Sequence, residues 1–215
     1  MDFITKEIEA YAESFTRPEG EVLAELNRET YAKMMTPRML SGHMQGQVLR
    51  MFSQMIKPQN ILEIGTYTGY SALCMVDGLQ QDGKLITIDV NAELQDIILR
   101  YFEKAGKTNQ IDSRIGNALE IIPTLEEKFD IVFIDADKEN YSNYFDLVFD
   151  KLNVGGYVIA DNVLWSGKVL EDDANLDKDT IALKDYAKKL KADPRVENVM
   201  MPIRDGLLIA RKVTN

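Results

Sequence analysis

The chain is short of the residues that build disulfides, thiolate metal sites and histidine chemistry: its 215 residues include one cysteine, Cys74, and one histidine, His43. A lone cysteine excludes an internal disulfide, and one residue of each type excludes a zinc site assembled from such side chains. Cys74 lies in an apolar helical stretch, which favours packing over nucleophilic chemistry. Long apolar runs are missing too. No segment approaches the ~20 consecutive apolar residues of a membrane span. The start, Met1-Asp2-Phe3-Ile4-Thr5-Lys6-Glu7, has neither the basic region nor the apolar core of a signal peptide. These absences predict a cytoplasmic protein with no membrane partner. Positive charge is also scarce. Against 35 acidic residues stand 25 Lys and Arg, a net charge of −10, which argues against a polyanionic partner such as nucleic acid. Some of that acidity falls in Glu171-Asp172-Asp173-Ala174-Asn175-Leu176-Asp177, read as a solvated loop ahead of a helix.

What is present is a core-forming chain, 45% hydrophobic and 28% charged, of a size that predicts one domain. Residues 1–58 read as a helical cap: an amphipathic stretch over 2–15, a helix with Pro18 among its early residues running to about Lys33, and a third from Gly42 to Ile56, stopped before Pro58. From 59 onward the rhythm changes. Strands are predicted at 61–64, 84–88, 111–115, 130–134 and 157–160, separated by helices near 70–80, 92–105, 117–126 and 141–151. Alternation of this kind makes a parallel sheet with helices on both faces. After a helix at 178–191, strands at 196–201 and 207–211 are joined by only Pro202-Ile203-Arg204-Asp205-Gly206, so they form an antiparallel hairpin.

Two strands end in oxygen-bearing side chains. Ile131-Val132-Phe133-Ile134 runs into Asp135-Ala136-Asp137-Lys138, and Tyr157-Val158-Ile159-Ala160 into Asp161-Asn162. If the two strands are neighbours, Asp135, Asp161 and Asn162 meet at the carboxyl edge where open α/β sheets bind ligands, as hard donors suited to Mg²⁺ or Ca²⁺. The first strand leads into Glu63-Ile64-Gly65-Thr66-Tyr67-Thr68-Gly69-Tyr70-Ser71. Its two glycines permit a tight turn and a close ligand, but a third glycine is missing, which argues against a nicotinamide or flavin. Asp89 closes the second strand, where an acid accepts hydrogen bonds from both ribose hydroxyls of an adenosine-containing ligand. It is equally placed to cap the helix beginning near Asn91. In Gly116-Asn117-Ala118, the small Ala118 leaves room for a flat adenine ring.

The runs Leu62 to Ser71, Phe129 to Tyr141 and Asp161 to Gly167, with Asp205-Gly206 near the end, together resemble the cation-dependent O-methyltransferases of the caffeoyl-CoA and catechol type. The resemblance implies a Rossmann-like class I methyltransferase fold: a seven-stranded, mostly parallel sheet with an antiparallel C-terminal hairpin. It implies that Glu63, Gly65, Thr66 and Ser71 contact the methionine part of S-adenosylmethionine, Asp89 the ribose, and Ala118 the adenine side. Met39 and Ser41 match the loop over the cofactor. Asp135, also near the cofactor, joins Asp161 and Asn162 as ligands of Mg²⁺ or another divalent cation such as Ca²⁺ or Mn²⁺. Lys138 matches the lysine that deprotonates the acceptor, and Trp165 is read as an aromatic wall or, equally, a packed residue. Ser166 stands where the plant enzymes carry an asparagine beside their substrate.

The activity so implied is methylation of one hydroxyl of a vicinal pair on a small aromatic, by a homodimer. Two other readings stay open: a tRNA hydroxyuridine O-methyltransferase, and a non-catalytic S-adenosylmethionine-binding protein.

Overall fold

The computed structural model describes residues 4–172, 174 and 176–215. Asp2 and Phe3 of the predicted first helix, and Asp173 and Asn175 of the acidic loop, lie outside them. Seven strands form one sheet in the order β3-β2-β1-β4-β5-β7-β6, and the described residues fall into two compact units, 4–117 and 118–215.

In the first unit, α1 (Lys6–Ser14) is capped by the Thr5 hydroxyl, which accepts from the Ile8 N–H. It buries none of its residues. Helix α2 spans Glu21–Lys33, so Pro18 lies ahead of it and not inside it. Proline drives its predecessor Arg17 toward extended backbone, and that break runs on to Gly20, the extended N-cap at ψ 155°. Helix α3 (Gly42–Ile56) ends at a left-handed Lys57, one residue before Pro58, as expected. Strands β1 (Asn60–Ile64), β2 (Lys84–Asp89) and β3 (Ile111–Ile115) are parallel, with Ile64 opposite Ile88 and Asp89 opposite Ile115. Residues Ile61 to Ile64 are all fully buried, the mark of a parallel strand covered on both faces. Helices α4 (Tyr70–Met75) and α5 (Gln95–Lys104) supply the crossovers. Cys74 packs inside α4, and burial pushes its thiol pKa far up, so it is a packing residue as the sequence indicates.

The second unit holds α6 (Ala118–Thr124), β4 (Phe129–Ile134), α7 (Tyr141–Phe149), β5 (Leu152–Ala160), α8 (Lys178–Ala192), β6 (Val196–Met201) and β7 (Leu207–Lys212). Strands β4 and β5 are parallel, whereas β7 pairs antiparallel with both β5 and β6, the predicted hairpin. Strand β5 begins five residues before the predicted Tyr157. The added residues include Gly155-Gly156, where the register to β4 shifts between Phe129 and Ile131 and Gly155 takes φ 88°. Glycine pairs mark bulges as well as turns. Lys212, buried, donates its Nζ hydrogens to the carbonyls of Phe149 (2.9 Å) and Leu152 (3.0 Å). A cation thereby closes the C-terminal end of α7, where the helix dipole favours positive charge. Among the described residues, no helix is long and apolar enough to cross a membrane.

Candidate active site

The first unit holds a turn built around two carboxylates. After β1 the chain reverses through Gly65 (φ 101°), Tyr67 (φ 49°) and Gly69 (φ 87°) into α4. A Cβ on Gly69 would stand 2.7 Å from the Phe102 ring, so the glycine is required by space as well as by backbone. Asp89 holds this turn from the end of β2. Its Oδ2 accepts the N–H groups of Thr66 (3.0 Å) and Tyr67 (2.8 Å), and its Oδ1 that of Asn91 (2.8 Å). A carboxylate offers about four lone-pair sites, so acceptor capacity remains for hydroxyl donors. The helical cap is Asn91, whose own side chain accepts from Glu93 N–H. Asp89 therefore acts one step upstream of the cap, by holding Asn91.

Glu63 is buried in β1. Thr87 Oγ1 donates to its Oε2 at 2.5 Å, and Thr66 and Thr87 share a 2.5 Å hydroxyl contact. Thr87 is a site residue that sequence reasoning missed; its signal was a hydroxyl inside the apolar run Leu85-Ile86-Thr87-Ile88. Ser71 is buried in the first turn of α4, close in the chain to Gly65 and Thr66. The helical segment before β1 braces the same turn, because Thr30 Oγ1 donates to Thr68 Oγ1 (3.2 Å) and Tyr67 OH to the Thr36 carbonyl (3.1 Å). Thr36 also contacts Met39 Sδ at 3.1 Å, which ties the exposed Met39 to this region; Ser41 is buried just before α3. Gly116 N–H donates to the Asp89 carbonyl at 2.8 Å, and Ala118, buried, opens α6 two residues later.

The second unit holds an oxygen cluster of its own. Ile134 pairs with Ala160 across β4 and β5, so Asp135 and Asp161 each leave the sheet one residue past a matched pair. Register alone brings them side by side. Asn162 has φ 57°, a left-handed conformation that asparagine tolerates better than most residues, and its N–H donates to Asp161 Oδ1 at 2.6 Å. Lys138 occupies a single turn of 3-10 helix, 138–140, which precedes α7 and which the periodicity did not reveal. Only 6% exposed, its Nζ donates to Asp135 Oδ1 (3.1 Å), Asn162 Oδ1 (2.8 Å) and Tyr141 OH (2.7 Å). The ammonium lies 4.9 Å from the Tyr141 ring centre and 5.6 Å from that of Trp165, within cation–π range. Tyr141 OH donates in turn to the Asp161 carbonyl (3.1 Å); burial first, then the Asp135 charge, pushes its pKa well up and keeps it a neutral donor. Tyr141 is the second missed residue, legible only as i+3 from Lys138.

Among the described residues, no three His, Cys, Asp or Glu side chains gather as a metal site. A cation here would be held by two acids and an amide, Asp135, Asp161 and Asn162. The Lys138 ammonium is a stand-in for such an ion: two of the three residues already aim a side-chain oxygen at one positive charge, and hard oxygen donors suit Mg²⁺. The residues fit the group.

An open, mostly parallel sheet with an acid near the end of β1 and another closing β2 offers the edge at which such sheets bind adenosine-containing ligands. Comparison with known proteins narrows the class. The O-methyltransferase family model matches residues 12–213. Caffeoyl-CoA O-methyltransferase 5 of Nicotiana tabacum is 39% identical over 207 residues, covering 91% of this chain and 86% of the tobacco protein. Caffeoyl-CoA O-methyltransferase 2 of Eucalyptus globulus is 41% identical, covering 91% and 83%. Among solved structures, an O-methyltransferase from Bacillus cereus in complex with S-adenosylhomocysteine (SAH) superposes with a TM-score of 0.89 at 27% identity, over 96% of this chain and 97% of that one. TomG of Streptomyces achromogenes, solved with S-adenosylmethionine, gives 0.88 at 26%, over 97% and 96%. The chain belongs to the O-methyltransferase family, and it is an S-adenosylmethionine-dependent O-methyltransferase.

Proposed function

We propose that the enzyme methylates one hydroxyl of a vicinal pair on a small catechol-like aromatic and uses a divalent cation to do so. The observation that carries this reading is the convergence of Asp135 Oδ1 and Asn162 Oδ1 on the Lys138 ammonium, close to the rings of Tyr141 and Trp165. Asp135, Asp161 and Asn162 would hold Mg²⁺, Ca²⁺ or Mn²⁺, which when bound supplies positive charge that favours ionisation of a neighbouring hydroxyl. Lys138, in its free-base form, takes the hydroxyl proton at Nζ. The acceptor oxygen then forms the new O–CH₃ bond as the sulfonium–methyl bond breaks, and SAH leaves. Trp165 stacks on the acceptor ring.

On the donor side, Asp89 accepts from the ribose hydroxyls with the capacity its three N–H partners leave, and Glu63 takes the methionine ammonium. Gly65, Thr66 and Ser71 line the methionine part, Ala118 the adenine, and Met39 and Ser41 cover the cofactor. We further read the chain as one methyltransferase domain that works as a cytoplasmic homodimer. The exposed Ile8 and Tyr11 of α1, with Phe15 at its C-cap, support a second copy as their cover.

The test is transfer of labelled methyl to catechol with Mg²⁺ and with excess chelator. Transfer that stops with chelator is expected. Transfer indifferent to chelator removes the cation from the proposal. No transfer to catechol, with methylation of tRNA instead, replaces the acceptor.

A further inference from the structure

Behind Asn162 the backbone enters a conformation that side-chain-bearing residues rarely hold. Trp165 and Ser166 are left-handed in succession, at φ 47° and 54°, and Gly167 follows at 85°. Such residues persist only where their surroundings over-determine them, and they gather at functional sites. Here the surroundings are the tip of the β6–β7 hairpin. Val163 N–H donates to the Gly206 carbonyl (3.2 Å), Leu164 N–H to the Asp205 carbonyl (2.9 Å) and Ser166 N–H to Asp205 Oδ1 (2.6 Å). The hairpin and loop are also in close apposition, since a Cβ on Gly206 would stand 2.5 Å from Leu164 Cγ. Within this clamp, the Asp205 carboxylate bonds the strained turn itself.

The turn carries the indole of Trp165. Its Nε1–H is buried without a hydrogen-bond partner, so no polar bond of its own orients the ring. Its place 5.6 Å from the Lys138 ammonium is left to packing and to the backbone that carries it.

We propose that Asp205 is a positioning residue for the methyl acceptor: it holds the 165–167 turn, and through it the Trp165 ring, in the geometry that receives a flat aromatic beside Lys138. Asp205 then governs acceptor affinity without touching the acceptor or the cofactor. This inference rests on the catechol-type reading above.

Trp165 is the only tryptophan in the chain, so its fluorescence reports on this site alone. The experiment titrates catechol into the SAH-loaded enzyme with Mg²⁺, follows Trp165 emission, and measures SAH affinity separately. In the wild type, catechol quenches. In Asp205→Ala the half-quenching concentration is expected to rise on the order of 10- to 100-fold, as for a misplaced positioning group. Emission of the ligand-free variant shifts, and SAH affinity stays at the wild-type value. Asp205→Asn keeps an oxygen but loses the charge that strengthens the bond, so it falls between, and it carries the test if the alanine variant does not fold. Unchanged emission and quenching in the variant that folds overturns the proposal. So does an equal loss of catechol and SAH affinity, which would make Asp205 a general fold residue. A wild type that binds SAH but is not quenched by catechol sinks the acceptor reading instead, and the ligand-free emission of the variants still decides whether Asp205 places the ring.

Discussion

Thr87→Val is the sharpest perturbation available on the donor side. Valine keeps the shape and the β-branching that suit a strand, so the change removes a hydroxyl and little else. That hydroxyl donates to Glu63 Oε2 and meets the Thr66 hydroxyl, both at 2.5 Å, and all three residues are buried. A hydrogen bond to a charged group is worth about 1.5–3 kcal/mol, and a stranded neutral hydroxyl costs about 1 more, giving about 2–4 kcal/mol. For a chain of this length each kcal/mol moves the Tm by about 2–4 °C, so the variant should melt roughly 5–15 °C lower. A second assay separates function from stability. If Glu63 meets the methionine ammonium, Thr87→Val weakens SAH but spares methylthioadenosine, which lacks the amino acid, and Thr87→Ser restores both properties. A melting point within about 2 °C of wild type would refute the hydrogen-bond argument. Equal loss of both ligands would refute the role given to Glu63.

The other predictions concern Lys138 and Glu29. Lys138→Ala should lower kcat for catechol methylation on the order of 10²- to 10⁴-fold, the usual worth of a positioned general base, with SAH affinity unchanged; an unaltered kcat removes Lys138 as the base. Glu29 joins α2 to α5: it accepts from both terminal nitrogens of Arg100 (3.0 and 2.8 Å), from Lys33 (2.7 Å) and from the buried Tyr101 hydroxyl (2.6 Å). Arg100 first, then Lys33 and Tyr101, hold its pKa far below the ordinary 4.5. A depressed carboxyl stabilises the fold fully above its unfolded value and loses that contribution as pH falls toward its folded one. Glu29→Ala should therefore cost about 1–2 kcal/mol in urea unfolding near neutral pH, and less at about pH 3. A gap that widens in acid would contradict the assignment.

Much of this was legible because parallel strands are blunt signals. An apolar run that stops at an acid marks the carboxyl edge of a sheet, and Asp89, Asp135 and Asp161 were each found that way. The parts that escaped depend on contacts across long stretches of chain. The burial of Lys138 follows from a 3-10 turn that puts Nζ against Asn162, 24 residues away; from the sequence it also reads as a surface lysine at a helix start. The bond from Ser166 to Asp205 spans 39 residues. Its partners announce nothing, although the pair Asp205-Gly206 was part of the family pattern. Pro18 misled for a local reason: proline suits both the first turn of a helix and the stretch ahead of it, and the structure takes the second.

The four strand-end acids differ in what already holds them, and that difference bears on the roles proposed for them. Asp89 is held by backbone N–H groups, which cannot leave; it keeps its charge and direction whatever binds, as a carboxylate awaiting hydroxyl donors requires. Glu63 is held by a threonine hydroxyl, a neutral donor that orients the carboxylate without cancelling its charge, so it can still receive a cationic group. Asp161 takes the N–H of its own neighbour Asn162, which fixes one oxygen by local geometry. Asp135 is met by a positive charge, the Lys138 ammonium, which in the proposed reading a divalent cation replaces. Three of these acids are thus set before any ligand arrives, which lowers the ordering cost of binding. In the proposed reading the fourth is set by a lysine that gives way when a cation enters. If so, Lys138 is freed to act on the acceptor only when its place among the oxygens is taken, and base and cation become two states of one site.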